Sequence, residues 1–433
     1  MENLIDNVWH KSKLLVKGFI IGILILLLMI PVSYVQNLVQ EREARQKEAF
    51  VEVSSKWAGK QNVTGPVLVI PYHETKMDEK NKPVTVKKLA YFLPAELQIQ
   101  ADVKPEKRYR GIYEVMLYSS EISMNGKFSG IATELLKIPA TDFVWNEAYV
   151  NMGIPDARGL KDELQIIWNS TDLKPEPVAI NNGIFKEGFV APVSISENDV
   201  AKEISFSTQI KLNGSEQLLF TPIGKETNVK ITSAWPDPSF TGGQLPETTS
   251  ITDKGFTASW KSFSHKRNFP QVWKDAEYDL SSASFGVDLF IPVSGYQKTM
   301  RSVKYAILCI LLTFAAFFLI ETVNKKSVHP FQYALIGLAL ILFYTLLLSI
   351  SEYTGFNIAY AIASVATIAL IGWFVKGLLH SGKLSTLLSV ILVIMYGYVF
   401  TILQLQDYAL LLGSVGLFCT LAIIMYYSKR IGW

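Results

Sequence analysis

Cysteine and histidine are scarce in this sequence. Its 433 residues include two cysteines, Cys309 and Cys419, and both lie in long apolar runs. Residues 41–301 contain no cysteine, which excludes a disulfide framework or a cysteine-ligated zinc site in that segment. The five histidines are far apart in the sequence, at His10, His73, His265, His329 and His380. We therefore expect no metal site.

The sequence also lacks the short motifs of common catalytic and nucleotide-binding sites. It has no Gly-x-Ser-x-Gly elbow, no Walker A loop and no Gly-x-Gly-x-x-Gly fingerprint. We therefore expect no cofactor and no catalytic residues, and the protein is predicted not to be an enzyme. An unrecognised hydrolase remains an alternative, because carboxylates from distant strands can meet in a folded domain.

A strong net charge is missing as well. The 41 Lys and Arg residues nearly balance the 38 Asp and Glu residues, for a formal net charge of +3. This excludes the basic footprint of a nucleic-acid binder. The charges are unevenly distributed: residues 41–301 hold 31 basic and 33 acidic side chains, whereas residues 302–433 hold seven and three. The middle of the chain therefore has the composition of a water-soluble domain, and the rest does not.

Six apolar runs are long enough to cross a membrane. A helix rises ~1.5 Å per residue, so about 20 apolar residues span the ~30 Å hydrocarbon core. The runs cover about residues 14–39, 303–323, 331–350, 357–375, 384–403 and 408–427. The alternative for the first run is a cleaved signal peptide, but the run exceeds the usual ~7–15 apolar residues and no convincing cleavage site follows it. We predict an uncleaved signal anchor and six transmembrane helices.

Lysine and arginine in the short connections predict the orientation. They occur at Lys11, Lys13 and Lys17, at 325–326, at positions 376 and 383 on either side of one loop, and at 429–430. The alternate connections, 351–356 and 404–407, have none. Because positive residues stay inside, both termini are predicted to be cytoplasmic. Three cations just before the second helix, Lys298, Arg301 and Lys304, run against this pattern, but a long domain is exported largely regardless of charge.

This plan gives three segments in a multi-pass membrane protein. Residues 1–40 form a cytoplasmic tail and the anchor helix, and residues 41–301 form a periplasmic domain that begins with a helical stalk. Residues 302–433 form a five-helix transmembrane block with a cytoplasmic C-terminus. The stalk is indicated by Glu41 with Arg45 and Glu43 with Lys47, which are spaced i,i+4 on one helix.

The periplasmic segment has the alternation of β-strands. In ELQIQADV, ISFSTQIKL and FGVDLFIPV the apolar residues recur at every second position, as in a strand with one buried face. We predict a mainly antiparallel β domain, either a sandwich or two β subdomains. Asn125–Gly126 and Asn213–Gly214 are interpreted as hairpin turns. Residues 170–188, rich in Pro, Asn and Gly, are the candidate boundary between two halves.

Two motifs of the β segment are candidate contact sites. Asp156 and Arg158, in the sequence Asp-Ala-Arg-Gly, could bind a charged ligand, or they could form a structural ion pair in a turn. Trp235 and Phe240 lie in WPDPSFTGGQLP, where two prolines fix an extended course. They could form an exposed edge for a partner or a buried aromatic clamp on a crossover loop.

In the membrane block, the ionisable candidates lie at predicted helix ends. Glu321 ends the second helix, His329 precedes the third and Glu352 follows it. We expect water or headgroups to solvate them. An alternative is a switchable pair at the inner loop with Lys325 or Lys326. The helix centres lack the charges and breaks that are usual in pumps and transporters.

Several segments resemble the CreD family of inner-membrane proteins, also called cell envelope integrity proteins. The resemblance is carried by TGPVLVIPY at 64–72, DARG at 156–159, SAWPDPSFTGGQLP at 233–246, KYAILCILLTFAAFFLIET at 304–322 and HPFQYALIGLALILFYTLLLSISEYTGFNIAYAIAS at 329–364. It implies a bacterial inner-membrane protein, controlled by an envelope-stress two-component system, that supports envelope maintenance and the response to β-lactam damage. It implies no known enzyme activity.

The expected function is therefore non-enzymatic support of the cell envelope. Its expected partners are the lipid bilayer and a periplasmic protein or cell-wall precursor, which the β domain would recognise. The alternative is a transporter or channel for an envelope precursor or lipid-linked substrate. A continuous polar cavity through the membrane helices would distinguish that alternative.

Overall fold

The computed structural model describes most of the chain in two compact units. The described residues are 2–77, 82–178, 188–274, 277–289, 295–324, 326–405, 411–416, 418, 422 and 425, with side chains from residue 16 onwards. One unit consists of Met1–Lys47 and Val293–Trp433, and the other of Glu48–Pro292. The first is helical and the second is built of β-strands.

Six helices are described in full. They are α1 (Glu2–Trp57), α2 (Gly295–Lys304), α3 (Ala306–Val323), α4 (Pro330–Thr354), α5 (Phe356–Leu379) and α6 (Gly382–Gln404). In the part of the chain that the structure describes, five of them are long and apolar enough to cross a membrane, namely α1, α3, α4, α5 and α6. These confirm the first five predicted spans. The sixth, 408–427, lies largely outside the described residues, although 411–416 are helical.

Individual residues at the helix ends account for the boundaries between the helices. The amphipathic α2 is separated from the apolar α3 at Tyr305, so the second membrane helix starts slightly later than predicted. At the start of α4, His329 caps the helix and Pro330 takes its first position, where a missing N–H costs nothing. The next connection is a single residue, Gly355, whose φ of +79° suits glycine.

Helix α1 continues without a break through the membrane run and beyond it. The ion pairs Arg45–Glu41 and Lys47–Glu43 confirm the predicted i,i+4 contacts on its solvated face. Within the helical unit its buried residues recur at helical spacing, at Leu28, Val32, Val35 and Val39. Gly337 of α4 lies directly against Leu28, because a Cβ there would overlap the leucine side chain. A small residue thus lets two membrane helices approach closely.

The β unit contains seventeen described strands. They are β1 (Gln61–Met77), β2 (Pro83–Phe92), β3 (Glu96–Arg110), β4 (Tyr113–Ser129), β5 (Tyr149–Gly153), β6 (Ile166–Trp168), β7 (Thr171–Leu173), β8 (Glu176–Val178), β9 (Gly188–Pro192), β10 (Glu203–Ser215), β11 (Gln217–Phe220), β12 (Glu226–Ser233), β13 (Ser239–Gly242), β14 (Thr248–Thr252), β15 (Gly255–Phe263), β16 (Val272–Lys274) and β17 (Phe285–Asp288).

These strands form two sheets around one core. One sheet has the order β13-β17-β11-β1-β5-β9-β8, with β2 also on β1 and β16 on β2; the other has the order β14-β15-β12-β3-β4-β10-β6-β7. The pairings are antiparallel except for β1 with β11 and β3 with β12. A single hydrophobic cluster includes residues of both sheets, and Trp260 of β15 stacks on Phe285 of β17 at 5.6 Å between ring centroids. The predicted antiparallel sandwich is confirmed.

Two finer predictions about this unit are wrong. Residues 170–188 do not separate two halves, because both sheets contain strands from before and after that stretch; β7 and β8 lie in it, and 179–187 lie outside the described residues. The two Asn-Gly pairs are not hairpin turns either. They lie inside the long strands β4 and β10, which pair with each other without a bulge.

The glycines of those pairs serve close packing on neighbouring strands. A Cβ at Gly126 would overlap the ring of Phe206, and one at Gly214 would overlap the ring of Tyr118. Strand interiors accept glycine where another group must approach the backbone. The actual turn between β3 and β4 is at Gly111, where φ is +60°.

Candidate functional site

An ion pair lies at one end of the membrane helices. Glu321, at the end of α3, is 4% exposed, and its carboxylate pairs with the ammonium group of Lys17 from α1. The Lys17 ammonium also donates to the Val328 carbonyl oxygen at 2.7 Å. It lies 5.9 Å from the ring centroid of Tyr333. The cation is thus surrounded by a carboxylate, a carbonyl and an aromatic face.

The same carboxylate accepts two further hydrogen bonds. The Val328 backbone N–H donates to Oε1 at 2.9 Å, and the Tyr333 hydroxyl donates to Oε2 at 2.7 Å. Our expectation of a solvated Glu321 is therefore wrong, because its charge is satisfied inside the protein. The proposed partners are also corrected: Lys326 contributes only its backbone N–H, to the Glu321 carbonyl at 3.1 Å, and Lys325 lies outside the described residues.

His329 has a structural position at the start of α4. Its Nδ1 accepts the Phe331 N–H at 3.2 Å, and its backbone N–H donates to Gln332 Oε1 at 2.9 Å. The Gln332 side chain also belongs to a capping box with the His329 side chain, and together these contacts satisfy donors at the helix start. The side chain is exposed and makes no hydrogen bond to Glu321 in the described structure.

A second acidic group lies near the C-terminal end of α4. The side chain of Glu352 is 9% exposed; its Oε1 accepts the Tyr296 hydroxyl at 3.0 Å and lies 3.8 Å from Arg42 Nε. The expectation that solvent surrounds this group is also wrong. Lys17 and Arg42 are 25 positions apart on α1, or about 37 Å at ~1.5 Å per residue, which exceeds the ~30 Å hydrocarbon core. The two ion pairs therefore bracket the apolar span.

The helix interior contains a tyrosine cluster that the sequence reasoning missed. The Phe343 ring centroid lies 4.9 Å from that of Tyr344, 5.3 Å from Tyr360 and 4.5 Å from Tyr396. The Tyr360 hydroxyl donates to the Tyr396 carbonyl at 2.9 Å, whereas the buried Tyr396 hydroxyl has no partner among the described residues. The signal in the sequence is the presence of tyrosines within the apolar runs, since a hydroxyl group is costly to bury without a partner.

In the β unit, Asp156 and Arg158 bond to each other and to neighbouring backbone. Asp156 accepts Arg158 Nε at 2.8 Å and Nη2 at 2.7 Å, and it also accepts the Gly59 N–H at 2.9 Å. Arg158 Nη1 donates to the carbonyl of Ser55, in the last turns of α1. This geometry corresponds to the structural ion pair and joins the end of α1 to the sandwich. The Arg158 guanidinium and the Gly59 N–H lower the pKa of the Asp156 carboxyl below its ordinary value.

The aromatic candidates of the β unit point inward. Trp235 is 8% exposed, and its Nε1 donates to the Asp237 carbonyl at 2.8 Å. Phe240 of β13 meets Phe256 and Trp260 of β15 edge to face, at 5.9 and 5.7 Å between centroids. Because β13 and β15 belong to different sheets, these contacts span the core. The geometry is that of the aromatic clamp and not of an exposed partner-binding edge.

No metal centre is evident in the residues that the structure describes. They contain no group of three or more His, Cys, Asp or Glu side chains that could hold an ion.

The fold and these contacts define a multi-pass membrane protein whose β sandwich is inserted after its first helix. The family profile described as inner membrane protein CreD matches residues 13–433. Inner membrane protein CreD of Escherichia coli (strain K12) is 31% identical over 416 residues, which cover 94% of this chain and 91% of that protein. The chain belongs to the CreD family of inner membrane proteins.

Proposed function

We propose that this chain supports the integrity of the cell envelope without catalysing a reaction. In this proposal the β sandwich recognises a periplasmic protein or a cell-wall precursor, and the membrane helices anchor it in the lipid bilayer. The observation that supports the proposal is the pair of ion contacts made by α1. Within the helical unit, its side chains pair with Glu321 and Glu352. A first helix that is held in the membrane block in this way is suited to anchor a recognition domain.

The proposal includes an orientation with both termini in the cytoplasm and the sandwich in the periplasm. The cationic connections support it, since Lys376 and Lys383 flank the α5–α6 connection, whereas the α4–α5 connection at Gly355 has no cation beside it. A response to envelope stress and β-lactam damage would follow from this location, because cell-wall precursors are displayed on that side of the membrane.

In vivo photo-cross-linking of the full-length chain tests the recognition role. A photoreactive residue would replace Ile251 or Tyr109, both exposed on the sandwich, in cells treated with a β-lactam. Envelope proteins or wall precursors should be captured from these positions. Replacement of Lys383, exposed at the start of α6, is the matched control and should capture neither. Capture of cytoplasmic proteins alone from the sandwich positions would contradict the proposal.

The tyrosine cluster favours one second candidate, a transporter of a lipid-linked substrate. The buried Tyr396 hydroxyl has no partner in the described part of the chain, and such a group marks a place where water or a polar ligand can bind within a membrane protein. Translocation of a fluorescent lipid in proteoliposomes tests this candidate. A transporter should move the lipid, and Tyr396→Phe should slow it. A protein that only recognises a ligand should leave the lipid distribution unchanged.

A further inference from the structure

Arg267, just before β16, is a buried cation with unused donors. The residue is 8% exposed, and no hydrogen-bond partner for its Nε or Nη1 is found among the described residues. Its Nη2 donates to Gln271 Oε1, and its guanidinium lies 4.4 Å from the ring centroid of Phe269. Among the described residues these contacts, a neutral amide and an aromatic face, supply no counter-charge for the guanidinium.

The position of this guanidinium is well fixed. Gln271 Nε2 donates to the Pro94 carbonyl at 2.6 Å, and the Gln271 carbonyl accepts the Leu93 N–H at 3.0 Å. The side chain that holds Arg267 is therefore tied to the loop between β2 and β3. Burial lowers the pKa of Arg267 to about 10, so the group remains a cation at neutral pH.

Two further cations, Lys225 and Lys266, lie near Arg267 in the β unit. The Pro94 carbonyl also accepts the Lys225 N–H at 2.9 Å, and the Lys225 carbonyl accepts the Ser264 N–H at 2.9 Å. Lys225 and Lys266 are both exposed, and neither has an ion-pair partner within the described ranges. By contrast, the nearby Glu226 is paired with Lys261 at 2.9 Å.

Buried charges in proteins are normally paired, because an isolated one is costly to remove from water. We propose that the Arg267 guanidinium is the central group of an oxyanion-binding site. A carboxylate or phosphate group of an external ligand would supply the missing counter-charge. Lys225 and Lys266 would attract the anion, and the free N–H groups of Arg267 would hydrogen-bond it. This inference rests on the proposed recognition role and gives it a ligand chemistry.

Thermal unfolding of the full-length chain in an uncharged detergent tests the site. Sodium phosphate and sodium acetate would be titrated against sodium chloride at equal ionic strength. Wild-type protein should be stabilised by phosphate or acetate beyond the chloride baseline, as a ligand that binds only the folded state requires. The anion that acts at the lower concentration identifies the preferred group. No effect beyond chloride would overturn the proposal.

Two variants connect the effect to the guanidinium. Arg267→Met should fold with equal or greater thermal stability, because it removes an unpaired buried charge, yet its affinity for the stabilising anion should fall more than about tenfold. Arg267→Lys should retain part of the binding, since it keeps the charge and loses the planar fork. Arg108→Met is the matched control: Arg108 also lies over an aromatic ring, that of Trp57, but pairs with Glu106.

The outcomes separate this site from the proposed function. An unchanged anion response in Arg267→Met would overturn the site. Continued cross-linking from Ile251 by that chain would leave the recognition role intact. Conversely, an anion response in wild-type protein without any envelope cross-link would contradict the recognition role while retaining the site.

Discussion

Lys17 of α1 and Glu321 of α3 form an ion pair across 304 positions of the sequence. The two residues belong to the chain segments on either side of the inserted β unit, and both lie in the helical unit. Their charges are completed by the Val328 backbone and the Tyr333 hydroxyl. The N-terminal helix is therefore an integral part of the membrane block, and its role exceeds that of a simple anchor.

Breaking this pair should destabilise the protein strongly. Lys17→Met and Glu321→Gln should each reduce the free energy of unfolding by about 3–5 kcal/mol, because each leaves one buried charge or its donors without a partner. The double variant Lys17→Met with Glu321→Leu should recover most of the loss. Thermal unfolding of the full-length chain in detergent measures this.

A surface pair on the same helix is the control for that experiment. Lys47 is paired with Glu43 but its side chain is 76% exposed. Lys47→Met should therefore cost no more than about 0.5 kcal/mol. Equal effects of Lys17→Met and Lys47→Met would show that the Lys17–Glu321 pair contributes little.

Gly126 should not tolerate a side chain. Its missing Cβ leaves room for the ring of Phe206, so Gly126→Ala should reduce the stability of the sandwich by about 1–3 kcal/mol through overpacking. Combining it with Phe206→Leu should restore part of the loss. Gly243→Ala is the matched control, because a Cβ there would meet only ordinary contacts of about 3.5 Å. A neutral Gly126→Ala would contradict the packing role.

Asp156 should contribute acid-dependent stability. Its pKa is lower in the folded protein, mainly through Arg158, so its contribution is fully present above the ordinary carboxyl pKa and is lost as pH falls through the folded value. Asp156→Asn should therefore be less stable than wild type at pH 7, and the difference should shrink below about pH 4. Arg158→Met should shrink the same pH dependence. If the stabilities of wild type and Asp156→Asn changed in parallel with pH, this role of Asp156 would be contradicted.

The lengths of the apolar runs were sufficient to predict the five membrane helices found among the described residues, and apolar alternation at every second position was sufficient to predict the β unit. Both patterns follow from burial and do not depend on which residues make the contacts. The partners themselves were not predictable. Glu321 was expected to contact solvent or its neighbours in sequence, because the residues around it do not indicate that α1 packs beside α3 and places Lys17 next to it. Likewise, the Asn-Gly pair at 213–214 suggested a turn, whereas glycine is needed there because the Tyr118 ring packs against the backbone. Arg267 carries no motif, and only its burial distinguishes it.

Exposure of the sandwich to the periplasm is the central claim, and cysteine labelling in whole cells measures it directly. Single cysteines at Lys254, exposed in the β14–β15 turn, and at Lys383, exposed at the start of α6, would be introduced after removal of both native cysteines. A membrane-impermeant maleimide should label Lys254→Cys in intact cells, and Lys383→Cys only after lysis. Labelling of Lys383→Cys but not Lys254→Cys in intact cells would contradict the proposed orientation and the envelope role built on it.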